Sequence, residues 1–253
     1  MKKKKYITFQ EKYDREGNSM DILRLFLAIT VIYGHTFPVL YGAKLISPTG
    51  NFDILAMFSK NQVGSGTIAV YMFFIISGFL ITQSIINSKN IFEYIIKRIL
   101  RLMPALFGSL FFTVFVIGII STDLSLTNYF YNIGNPIKYF LSNLSFGIFG
   151  FYYSLADVFS TNPLPGSINA SMWTLPFEVA FYLLIILFSI NNFFKKKQRI
   201  IYAYIVSLIL VYYKIRFGYI PSTLNDNFWI ISANQIGGFI TLGYYFIAGS
   251  LIY

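Results

Sequence analysis

The sequence has no cysteine and only one histidine among its 253 residues. Without cysteine there are no disulfides, thiolate nucleophiles or thiolate-bound metals. With one histidine a metal site would need several carboxylates, and most of the ten acidic residues lie in polar segments; no metal is expected. Charge is scarce too. Only 12% of the residues are charged, against about 25% in a soluble globular domain, too little polar surface to cover the chain in water. What is present is apolar: 56% hydrophobic residues, 20% aromatic. Several apolar runs reach about 18 residues, enough to span a hydrocarbon core. The fold class is an all-α polytopic transmembrane helical bundle.

The net charge of +10 is concentrated in three blocks: "MKKKK" at the start, Lys97 with "RILR", and "KKKQR" from Lys195 to Arg199. Each serves as a flank to apolar sequence, the placement that marks the cytoplasmic side of a span. Nucleic-acid binding is not expected, because the basic residues sit where membrane topology needs them. Residues 1–20 form a cytoplasmic polar tail, and residues 21–253 a transmembrane domain. Polar residues continue to Asp21 and no small-residue cleavage site follows, so the first span is retained rather than removed as a signal peptide.

Six spans are expected: about Asp21 to Leu40, Gly66 to Asn87, Ile95 to Ile120, Ser171 to before Lys195, the short run "IIYAYIVSLILVYY", and about Phe228 to the end. Residues 121–171 form a long polar region, part of which could lie in the interface or re-enter. With the N-terminus inside, the inner segments carry Lys2 to Lys5, Lys12, Arg15, Lys89, Lys97, Arg98, Arg101, Lys195 to Lys197 and Arg199; the outer ones carry only Lys44, Lys60, Lys138, Lys214 and Arg216. That asymmetry sets a cytoplasmic N-terminus.

Four stretches carry polar groups into these spans. In "RLFLAITVIYGH", Arg24 and the single histidine, His35, are eleven positions apart. At 100° per residue they share a helix face about 16 Å apart along the axis, with Asp21 one turn before Arg24. Such groups face a cavity or a partner more often than lipid, although Arg24 could equally snorkel to the interface and His35 serve only as an interfacial hydrogen-bonding group. In "KRILRLMP", Arg98 and Arg101 suit either a positive-inside anchor or a clamp for a ligand with several phosphates. In "SMWTLPFEVAFYLL", Glu178 is the one carboxylate of an apolar run, Trp173 reads as an interface residue and Pro176 as a kink. In "FFIISGFLIT", Ser77 and Gly78 read as a small pair that lets helices approach closely.

In this order the motifs resemble the acyltransferase-3 family of membrane-bound acyltransferases, which includes O-acetyltransferases of bacterial surface polysaccharides. "MDILRLFLAITVIYGHTFP" looks like its first helix, "VYMFFIISGFLIT" its second, "YIIKRILRLMP" its Arg-x-x-Arg segment and "MWTLPFEVAFYLL" its Trp-x-Leu…Glu…Phe-Tyr segment. The resemblance covers residues 20 to 184; beyond 200 only general hydropathy continues it. It implies transfer of an acyl group, in particular acetyl, from cytoplasmic acyl-CoA to a hydroxyl of a cell-surface carbohydrate or lipid-linked saccharide, by a multi-pass protein of the inner (plasma) membrane surrounded by membrane lipids. His35 would be the general base, with Arg24 and Asp21 lining the polar path beneath it. Arg98 and Arg101 would hold the CoA phosphates, and Glu178 would orient the imidazole or the acceptor. The family implies about ten spans, so a six-span chain reads as truncated at its C-terminus. Two other readings share the intramembrane charges: a glycan transporter or flippase, which would show inverted repeats or paired broken helices not found here, and an inactive fragment.

Overall fold

The computed structural model describes residues 19–42, 53–60, 62–131, 136–146, 151–155, 157–217 and 233–253. Their secondary structure is helical, apart from an isolated bridge between Thr122 and Val158. The helices are α1 (Met20–Tyr41), α2 (Ile54–Phe58), α3 (Ser65–Ile86), α4 (Ile91–Phe112), α5 (Leu126–Tyr131), α6 (Pro136–Leu144), α7 (Leu175–Ile190), α8 (Lys197–Phe217) and α9 (Ala233–Ile252). A π-turn, Thr113–Ile117, and the short helix Gly118–Ser121 extend α4; a 3₁₀ turn, Ala170–Thr174, leads into α7.

Five of these segments are long and apolar enough to cross a membrane: α1, α3, α4 with its extension to Ser121, α7 with its leading turn, and α8. The expected sixth span is the shorter apolar helix Ile236–Ile252, and its proposed start at Phe228 lies outside the described residues. The fifth, read as a run of fourteen apolar residues, continues at both ends to 21 residues, because Lys197 and Arg199 begin the helix and Lys214 and Arg216 close it. The first span matches α1, which contains Pro38 without breaking and continues to Tyr41. Pro176 does not act as a kink. It is the second residue of α7, where a missing backbone N–H forfeits no intrahelical bond.

The direction of α9 can be read from its packing. Tyr71 stacks on Tyr245 at 4.2 Å, Thr82 donates to Ser250 Oγ at 2.9 Å, and Phe79 meets Tyr253 at 5.6 Å. Residue numbers rise together on the two helices, so α3 and α9 are parallel. Three crossings, α4, α7 and α8, separate them, which makes α9 the sixth pass. The two backbones nearly touch: a Cβ on Gly78 would collide with the Phe246 carbonyl oxygen, and one on Gly249 with that of Ile75. Small residues permit such contact inside a membrane.

The described part of the polar region after α4 packs along the second half of that helix, from Phe107, which meets Phe140 at 5.6 Å, to Thr122, which bridges to Val158. The Tyr129 hydroxyl donates to the Val114 carbonyl (2.9 Å), a group that the π-turn leaves for it, and the glycine at 118 makes room for the phenol. Asn143 is fully buried and serves as a strand partner for Tyr152, donating to its carbonyl (2.9 Å) and accepting its N–H (3.1 Å). Asn169, at φ +53°, donates to Thr113 Oγ1 (2.8 Å) and to the Tyr139 hydroxyl (3.3 Å). These bonds fasten the start of α7 to α4, and the face carrying Glu178 is positioned by that attachment.

Candidate functional site

A cavity of about 260 Å³ lies between α1, α3, α4 and α7. Its polar lining is Arg24, Ser77, Arg101, Thr174 and Glu178; Val70, Phe73, Phe74 and Leu102 complete the walls. Three of the charged residues singled out in the sequence therefore meet in one place. Arg24 arrives from the second turn of α1, where Nη1 is also held by Asp21 Oδ1 at 3.0 Å. Asp21 itself is exposed (84%) and does not line the cavity; it steadies Arg24 from outside. Two guanidiniums facing one carboxylate leave the chamber net positive, a setting that favours anionic or strongly polarised groups.

The Arg-x-x-Arg pair divides. Three residues turn a helix by about 300°, so Arg98 and Arg101 point about 60° apart. Arg101 lines the cavity. Arg98 sits behind it, with its guanidinium 5.7 Å from the ring centres of both Tyr94 and Tyr182, and Nη2 donates to Ser84 Oγ at 3.2 Å. Its Nε and Nη1 are buried and meet no acceptor. Tyr182 links the two arginines' surroundings to the carboxylate: its hydroxyl donates to Glu178 Oε1, and its carbonyl accepts from the Tyr94 hydroxyl at 3.3 Å.

His35 is elsewhere. It lies near the outer end of α1, beside the first turn of α3, with Nδ1 2.8 Å from the Val31 carbonyl oxygen. A carbonyl can only accept, so Nδ1 carries the proton and Nε2 keeps its lone pair. The neighbouring wall is Gly66, whose missing Cβ would stand 4.0 Å from Nδ1. On α3 the cavity is lined from Val70 to Ser77, four to eleven residues past Gly66, so it extends from about 6 to about 16 Å further in than the imidazole. His35 and Glu178 are not brought together; Glu178 bonds to Tyr182 instead.

Two residues of this region were missed or misread in the sequence. Ser77, taken with Gly78 as a packing pair, is one of the residues that line the cavity, and only Gly78 makes the close helix contact. Asp53 carried no signal at all. Its carboxylate accepts from the N–H groups of Leu55 (2.9 Å) and Ala56 (3.2 Å), capping α2, and from the N–H (2.8 Å) and hydroxyl (2.7 Å) of Ser65, the first residue of α3. Burial opposes its ionisation, but these bonds, led by that of the Ser65 hydroxyl, outweigh it and hold the carboxyl below its ordinary range. Among the described residues no group of three or more His, Asp and Glu side chains could hold a metal ion.

No solved structure matches the chain. Among characterised sequences it is similar to nodulation protein 10 of Rhizobium leguminosarum bv. viciae, 31% identical over 169 residues, which are 66% of this chain and 42% of that protein. It is also similar to an O-acetyl transferase of Shigella phage Sf6, 30% identical over 176 residues, 67% of this chain and 45% of that one. The alignments thus cover less than half the length of these two relatives. The family model described as an acyltransferase domain matches residues 18–253, nearly the whole sequence. A helical membrane bundle with this cavity and these four motifs belongs to the acyltransferase-3 family.

Proposed function

We propose that this protein transfers an acyl group, in particular acetyl, from acyl-CoA on the cytoplasmic side of the plasma membrane to a hydroxyl of a surface carbohydrate or lipid-linked saccharide. The observation that carries the reading is the division of the polar groups into a cationic inner chamber and a single outer imidazole with a free Nε2. The phosphates of the donor suit Arg101, whose guanidinium faces the chamber and can bind phosphate oxygens in pairs, with the charge of Arg98 behind it adding to the attraction. From there an extended donor runs outward along α3 toward His35. The name of the phage relative, O-acetyl transferase, supports acetyl as the group and oxygen as the atom that receives it.

At the outer end His35 Nε2 takes the proton of the acceptor hydroxyl as its oxygen attacks the thioester carbonyl carbon. The C–O bond forms, the tetrahedral intermediate collapses with cleavage of the C–S bond, and the thiolate leaves to be protonated. The Nδ1–H bond to Val31 keeps the ring in the tautomer this step needs. Arg24, Glu178 and Tyr182 lie inward of the reacting atoms and act on the donor.

The test is incorporation of label from radiolabelled acetyl-CoA into membrane carbohydrate, in vesicles bearing the protein, with release by mild base as expected of an ester. Label in protein-free vesicles equal to that with the protein, or label that resists mild base, sinks the reading.

A further inference from the structure

Opposite charges that share a cavity inside a membrane should close on each other, because their attraction grows as the dielectric constant falls. In this chamber they stay apart. Arg101 and Glu178 both line it, yet the ion pairs among the described residues are Asp21 with Arg24 and Glu93 with Lys97. Glu178 is in neither. Its Oε1 accepts instead from the hydroxyl of Tyr182, one turn further along α7.

Tyr182 is itself held in place. It is 5% exposed, and its ring lies 5.7 Å from the Arg98 guanidinium, which is tied in turn to Ser84 of α3 through Nη2 (3.2 Å). A chain of contacts thus runs from α3 through α4 to the carboxylate on α7. The phenol also stands in the fields of both Arg98 and Arg101. The carboxylate bonded to it therefore has guanidinium charge close by, and it is bonded to the phenol all the same.

A guanidinium paired with an internal carboxylate has spent the charge and the paired donors that would take a phosphate. Given the donor reading above, on which this step rests, we infer that Tyr182 is a positioning residue: by holding Glu178 it keeps that carboxylate off Arg101, and so keeps Arg101 open to the donor's phosphates. Tyr182 does not touch the donor; it acts through Glu178. Without the phenol hydroxyl, Glu178 turns to Arg101 and competes with the donor as an internal anion.

The experiment compares the natural protein with Tyr182→Phe, Glu178→Gln and the double variant in lipid nanodiscs. It measures binding of adenosine 3′,5′-bisphosphate and of CoA, with thermal unfolding to show that each sample is folded. Phe keeps the ring and its contact with Arg98 and removes the hydroxyl alone. Tyr182→Phe should weaken binding of both ligands by about 10-fold, the worth of a charge-assisted hydrogen bond. In the double variant the affinity should return to that of Glu178→Gln alone, because a neutral amide leaves Arg101 its charge. The two sites are thus coupled, and the double-mutant cycle reads the coupling directly. Unchanged affinity in Tyr182→Phe overturns the inference and leaves the donor reading intact. So does a loss of the same size in the Glu178→Gln background, which is what a merely structural phenol would give. No binding of either ligand by the natural protein overturns the donor reading, and this inference with it.

Discussion

His35 Nδ1 lies 2.8 Å from the carbonyl oxygen of Val31, one turn earlier on the same helix. This bond fixes which nitrogen of the ring is available for chemistry. Because the chain has a single histidine, ¹⁵N-labelled His gives one imidazole spectrum. At a pH where the ring is neutral it should show the proton on Nδ1. A spectrum with the proton on Nε2 contradicts the base assignment. His35→Ala should reduce acyl transfer by about 100- to 10,000-fold, the usual cost of removing a general base, while the protein stays in the membrane. Near-full turnover at saturating donor makes the histidine structural.

The two arginines of the Arg-x-x-Arg segment should separate in their effects. Arg101 faces the cavity, and Arg98 is held between two tyrosine rings. Arg101→Lys should raise KM for acyl-CoA with little change in melting temperature, because an ammonium cannot bind phosphate in a bidentate fashion. Arg98→Ala should raise KM and also lower stability, as it removes cation–π contacts worth about 0.5–2 kcal/mol each and the bond to Ser84. Identical thermal shifts for the two variants count against this division.

Much of the site was legible from polar residues in apolar runs, since an intramembrane charge is rare enough to be a signal. Arg24, Arg101 and Glu178 do meet in one cavity. The sequence could not tell Ser77 from Gly78. The two are neighbours in the chain but about 100° apart on the helix, and which faces a neighbour depends on where α9 docks. It also could not split Arg98 from Arg101, because spacing alone does not show that Tyr94 and Tyr182 enclose one of them. Asp53 was invisible for another reason. Its partner Ser65 is twelve residues on, past a loop, and no periodicity links an N-cap to the start of the next helix.

Two glycine substitutions should have opposite signs. Gly78→Ala pushes a methyl into the Phe246 carbonyl and must force α3 and α9 apart, breaking the Thr82–Ser250 bond. Overpacking of this kind costs about 1–3 kcal/mol. A Cβ on Gly108 meets nothing within 4 Å, so Gly108→Ala should stabilise by up to about 1 kcal/mol through helix propensity. Thermal unfolding in detergent checks both. A stabilised Gly78→Ala protein is incompatible with the close parallel packing described here.

Asp53 should make the outer end of the bundle sensitive to acid. Its carboxyl sits below the ordinary value of 3.8 in the folded protein, where burial is outweighed by the bonds from Ser65, Ala56 and Leu55. A depressed folded-state value means that the stabilisation is fully present above the unfolded value. It is lost as pH falls through the lowered one. Between pH 5 and 8 Asp53 should therefore add a constant increment, which fades on acidification below about pH 4. Asp53→Ala removes the cap of α2 and the hold on Ser65, an effect of about 0.5–2 kcal/mol judged by helix caps. The melting temperatures of Asp53→Ala and the natural protein should differ at neutral pH and converge in strong acid. The consequence for His35 follows from geometry, since Ser65 precedes Gly66, the wall beside Nδ1. Freeing the start of α3 should broaden the histidine ¹⁵N signal in Asp53→Ala or move part of its proton to Nε2. A parallel pair of melting curves at all pH values, with an unchanged histidine spectrum, shows that Asp53 neither stabilises the outer end nor positions the base.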